Sequence, residues 1–147
     1  MIEIFDYNDN VNKQGVVCNQ ISTKQMTGNS GFANLKQPLL VACSEDNGSV
    51  SVDICAQADV PYGVYVPDSF NATGNKVKVQ LLGTGTMDMV AGGTIKAGQL
   101  VFSSGSGEIT ATPNTGETYF QVGYARSNGS RGSLVKVDTS SPVKVTA

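Results

Sequence analysis

The sequence predicts an all-β fold: a small β-barrel or β-sandwich of short antiparallel strands preceded by a polar N-terminal arm. Three observations carry this. Glycine makes up 17 of 147 residues, well above the ~7% norm. From Gly28 onward the longest stretch free of Gly and Pro is residues 49–60, which an average helix of ~11 residues would fill almost completely. That stretch instead alternates in the period of a strand, with Val50, Val52 and Ile54 apolar and Ser51, Asp53 and Cys55 between them.

Residues 1–35 are polar, rich in Asn and Gln and weakly periodic, and they read as an arm or extension with little apolar surface to bury by itself. Val17 and Ile21 are four apart, a spacing open to a helical turn or two or to an arm that orders on a partner. Residues 36–147 read as the β-rich domain. The run "LLVACSEDNGSVSV" is a hairpin signal, because Asn47-Gly48 supplies the positive φ that a tight turn needs. "PYGVYVP" (residues 61–67) is aromatic and β-branched, as suits a pleated, half-buried surface. "KVKVQLL" (residues 76–82) alternates cleanly, and "GTGTMD" (residues 83–88), which begins like a dinucleotide fingerprint without the helix to follow, reads as a hairpin. In residues 92–113, "GGTIKAGQLVFSSGSGEITATP", apolar clusters are separated by tight turns. "YFQVGYA" (residues 119–125) and "LVKVD" (residues 134–138) close the series.

The chain also lies over itself. "LLVACSEDNGSVSV" aligns with "QLVFSSGSGEITA" after one deletion, "PYGVYV" with "QVGYAR", "KVKVQ" with "LVKVD", and "TMDMV" with "SPVKV". The spacing, about 60 residues, exceeds that of solenoid and propeller repeats, so residues 39–90 and 99–145 read as a weak internal duplication or as the chance agreement of two alternating, Gly-rich stretches.

Chemistry is mostly excluded. There is no histidine, the commonest general base and metal ligand. Asp53, Asp59, Asp88, Glu108 and Glu117 could in principle pair as in a glycosidase, but they are scattered and read as solvated strand and turn residues. "DYNDN" (residues 6–10) resembles half a calcium loop, with Val11 and Val17 where the glycine and the bidentate Glu belong. Cys18, Cys43 and Cys55 fit neither a disulfide framework nor a zinc site and read as buried thiols of a protein made in a reducing cytosol. A net charge of −2 leaves no basic footprint for nucleic acid, and neither a membrane span nor a signal peptide is expected. The reading is of a protein that is not an enzyme and needs no cofactor and no metal.

Residues 76–138, with "MVAGG", "TIKAGQLV", "SSGSGEIT", "FQVGYA" and "LVKVD" in that order, resemble the capsid cement, or head decoration, proteins of tailed bacteriophages. The resemblance implies a structural virion protein that is made in the host cytoplasm, binds the outer surface of the capsid and stabilises it. It further implies the major capsid protein as partner and a homo-oligomer, with a trimer favoured over a dimer. Phe5 and Tyr7 are the candidate arm anchors at that interface, since aromatic side chains supply much of the contact energy between proteins. A receptor- or glycan-binding module of a head fibre or tail is the competing function, and a sugar-acid-binding β-clip domain or enzyme is a third.

Overall fold

The computed structural model describes residues 22–147. Ten strands make up the described chain: β1 (Thr23–Gly28), β2 (Leu40–Asp46), β3 (Ser49–Ile54), β4 (Pro61–Tyr65), β5 (Lys76–Leu81), β6 (Thr86–Val90), β7 (Leu100–Gly105), β8 (Glu108–Thr110), β9 (Thr118–Ala125) and β10 (Leu134–Thr146). The fold is all-β, as the alternation and turn chemistry predict, with one 3-10 turn at Ser30–Asn34. Residues 1–21, and with them Phe5, Tyr7, the "DYNDN" stretch and Cys18, lie outside the described residues.

The strands form two sheets. The first closes into a barrel in the order β1-β3-β2-β4-β5, with β1 antiparallel to β5 and parallel to β3. The second runs β6-β10-β9-β7-β8, and its outer strands meet at a single parallel bridge, Ala91 to Ile109. Read from the hairpin outward, the two orders are the same, with β3-β2-β4-β5-β1 matched by β8-β7-β9-β10-β6. Local details repeat as well. Asn47-Gly48 and Ser106-Gly107 turn the equivalent hairpins with positive φ at both residues. The pairing with the next strand shifts register at Val41/Ala42 in one sheet and at Val101/Phe102 in the other. Gly63 and Gly123 each lie against a partner-strand carbonyl, that of Gln80 and that of Asp138, with no room for a Cβ.

The topology assigns "TMDMV" differently from the sequence alignment. As β6 it sits at the edge of the second sheet, where its counterpart is β1, not residues 141–145. "GTGTMD" is likewise no hairpin, because β5 and β6 lie in different sheets and Gly83-Thr84-Gly85 carries the chain from one to the other. β1 lies within the stretch that reads as an arm; its Met26 joins the barrel core and its edges pair with β3 and β5.

Two apolar clusters hold the sheets. Met26, Phe32, Val41, Val52, Tyr65, Val77 and Val79 fill the barrel. The larger cluster combines second-sheet residues such as Met89, Val101, Ile109, Val122 and Val137 with Leu40, Ala42, Cys55 and Val64 from the first. β4 and the first three residues of β2 are therefore buried on both faces: Val41 and Tyr65 point into the barrel while Leu40, Ala42 and Val64 meet the second sheet. That explains their nearly continuous apolar runs, which a strand with one wet face would not show.

Candidate interaction surface

With Phe5 and Tyr7 outside the described residues, the candidate surface is what the two sheets present outward. Where they meet, a groove of about 540 Å³ opens between the loop ahead of β2 and the outer face of β10 and β6, lined among others by Lys36, Pro38, Pro67, Met87, Asp88 and Leu134. Alternation places these groups: Met89, Val135 and Val137 turn inward to the shared core, so Asp88, Leu134 and Lys136 must face out. Leu134 is 50% exposed, a high value for a leucine on a strand.

The charges around the groove are paired. Lys136 Nζ donates to Asp88 Oδ1 at 3.0 Å across β10 and β6, and Lys36 Nζ to Asp68 Oδ1 at 2.8 Å beside the 3-10 turn. The bond to the Asp68 carboxylate, with its charge, raises the Lys36 pKa above the ordinary lysine value. Further along, Arg126 Nη1 donates to both carboxylate oxygens of Asp138, at 3.0 and 2.9 Å, and Thr86 Oγ1 donates to the same carboxylate. The Thr86 hydroxyl first, and then Arg126, hold the Asp138 pKa below the usual carboxylate value. Exposed pairs of this kind contribute little to stability but define a pattern of fixed charge that a partner must match.

A second polar cluster ties the two sheets together. Glu117, just before β9, accepts from Gln57 Nε2 at 3.0 Å, from Tyr119 Oη at 3.1 Å and from Asn114 Nδ2 at 3.5 Å. These bonds, with that of Gln57 the strongest, lower its pKa. Gln57 belongs to the loop after β3, and its carbonyl accepts from Ser103 Oγ of β7, so this loop reaches the second sheet through both side chain and backbone.

Besides Glu117, three of the other four scattered carboxylates take structural partners. Asp53 accepts from Asn29 Nδ2 at 2.9 Å, Asp59 from the Ala56 N–H at 3.2 Å, and Asp88 from Lys136. Among the described residues no three potential metal ligands come together. Cys55 is buried and its thiol is pushed up to about 12, by desolvation and then by Asp59, which makes it inert. Cys43 departs from the expectation of a buried thiol: it is exposed, because β2 is buried only over its first three residues, Leu40 to Ala42, and Cys43 lies just past them. The tyrosines of the two aromatic strands divide between core and surface. Tyr65 and Tyr119 are buried, Tyr62 is half-buried and Tyr124 on β9 is 54% exposed.

The family model of phage cement proteins matches residues 41–139, from β2 into β10. The chain belongs to the phage cement protein family. It is thus a structural, capsid-associated protein, and the resemblance visible in residues 76–138 extends through most of both sheets. Among solved structures, this cement protein is similar to the head fibre N base of bacteriophage phi29, with a TM-score of 0.61 and 20% identity over 87% of this chain and 100% of that one. At that identity the likeness establishes a shared fold. No curated protein matches the cement protein.

Proposed function

We propose that the protein docks on the outer surface of a phage capsid, contacts the major capsid protein and reinforces the shell. The match to the phage cement family over both sheets carries this reading. Support comes from the chemistry of the described surface, where Asp53, Asp59, Asp88 and Glu117, four of the five carboxylates that could have served as acid and base, are each held by a neighbour, in keeping with a protein that binds rather than catalyses. In this reading the chain ahead of β1 is the arm, with Phe5 and Tyr7 as its anchors on the capsid, and the working form is a homo-oligomer, a trimer before a dimer. Nucleic acid and membrane are not partners. The identical strand orders, hairpin turns and close-approach glycines of the two sheets favour an origin by internal duplication.

Counting copies by quantitative mass spectrometry of purified particles tests the proposal. A ratio to the major capsid protein of one to one, or one to a small integer, is the expected outcome. A few tens of copies per particle would favour the second reading, a receptor- or glycan-binding module of a head fibre, which the fold shared with a head fibre base and the exposed Tyr124 would then support. Absence from the particle removes the structural reading.

A further inference from the structure

β10 is paired on both sides only in its first half. Its residues 134–138 lie between β6 and β9, but after the irregularity between Thr139 and Val143 its residues 143–146 pair with β9 alone among the described residues. The Ala147 N–H donates to the Glu117 carbonyl at 3.0 Å. By the alternation of an antiparallel ladder, Val143 and Val145 then bond to β9, and the N–H and C=O groups of Lys144 and Thr146 point the other way. Among the described residues nothing pairs on that side: Lys144 and Thr146 are exposed, and Val143 is 50% exposed. At the head of this edge Ser140 Oγ is buried with no hydrogen-bond partner. Proteins ordinarily cover or blunt such an edge, and Pro142 blunts only its first position.

The point at which the chain enters the fold indicates what covers it. The Ser22 N–H donates to Thr84 Oγ1 at 3.1 Å in the link between the sheets. The neighbouring Gly83 N–H donates to Thr139 Oγ1 at 3.0 Å, and a Cβ on Gly83 would meet the Ser141 nitrogen at 3.3 Å. Residues 1–21 therefore join the described chain at the head of the open edge. The vacant line continues that of β6, which is antiparallel to β10, and a segment running along it into Ser22 would be antiparallel too. Residues 16–21, "VVCNQI", are free of charge, Gly and Pro and include three β-branched residues, the composition of a strand. Six residues reach ~20 Å in a strand, enough to run alongside residues 142–146.

We propose that residues 16–21 add to the open edge of β10 as an antiparallel strand, seating the root of the arm on the second sheet. The test is amide hydrogen exchange, resolved by residue, on the full chain and on its Val17→Pro and Cys18→Pro variants. One of these adjacent positions must carry an N–H that the added ladder uses. In the wild type the Lys144 and Thr146 amides should exchange at least about tenfold more slowly than in the more affected proline variant. The Val143 and Val145 amides, bonded to β9, should stay protected in all three, which shows that the fold survives. Free exchange of Lys144 and Thr146 in the wild type overturns the proposal. So does protection that persists in both variants; if it also rises with protein concentration, a second copy of the chain occupies the edge.

Discussion

Gly107 shows how much a single residue carries at the junction of the sheets. Its φ of +74° is left-handed, and a Cβ there would stand 2.7 Å from Leu39 Cβ and 3.0 Å from the Leu40 carbonyl. Its carbonyl accepts from the Leu40 N–H at 2.9 Å while its own N–H donates to the Cys55 carbonyl at 3.0 Å, so the backbone cannot retreat without breaking both bonds. Gly107→Ala therefore combines left-handed strain with overpacking and should destabilise by about 2–4 kcal/mol, read from the shift in denaturation midpoint. Gly48, its counterpart in the first hairpin, has open space around it, and the same substitution there meets the conformational cost alone. The bonded carboxylates act at the same scale. Glu117 and Asp138 have folded-state pKa values below their ordinary ones, so each contributes stability that is present above the unfolded value and is lost as pH falls through the folded value. Thermal stability should hold near neutrality and decline as pH drops below about 4.5, and Glu117→Gln should flatten that decline while lowering the melting temperature at pH 7.

At the scale of elements, the 3-10 turn and its phenylalanine complete the first barrel. Phe32 is 2% exposed, packs at a ring-centroid distance of 5.1 Å from Tyr65, and offers its carbonyl to the Tyr65 hydroxyl at 3.2 Å. Asn29 caps the turn by accepting from the Gly31 N–H at 2.9 Å. Phe32→Ala should cost about 3–5 kcal/mol and loosen the first barrel, observable as faster amide exchange in β1 and β5. Strands whose faces differ in polarity were legible in the sequence: β3, β5 and the start of β10 alternate, and Asn47-Gly48 announces its hairpin. β1 was not, because "TKQMTG" turns only Met26 and Gly28 inward and owes its conformation to pairing with β5 and β3, both distant in sequence. The far half of β10 was hidden by Ser-Ser-Pro, which reads as a break; in the structure Pro142 follows an irregularity and sits on an edge, where a missing N–H costs nothing. The groove escaped prediction for a related reason, since Lys36, Met87 and Leu134 come together only through the packing of one sheet on the other. The family itself was legible, because alternating strands with turns in a fixed order are local features.

For the whole molecule the decisive feature is that the larger core belongs to both sheets. Leu40 and Val64 of the first sheet are fully buried in one cluster with Met89, Val101 and Val137 of the second. The backbone bonds of Gly107 to Leu40 and Cys55, and the Gln57–Glu117 bridge, cross the same boundary. Two sheets of equal topology could each have formed a separate domain; sharing β2 and β4 as double-faced strands couples them instead. The proposed bracing of a shell would draw on such coupling, since force applied to one sheet passes to the other through packed side chains rather than through a linker. The expected consequence is one cooperative unfolding transition, with calorimetric and van't Hoff enthalpies equal. Leu40→Ala, which opens a cavity at the junction, should lower that transition by about 2–5 kcal/mol without splitting it. Two resolved transitions in the wild type would mean that each sheet is stable by itself and that the shared cluster contributes contact without cooperativity.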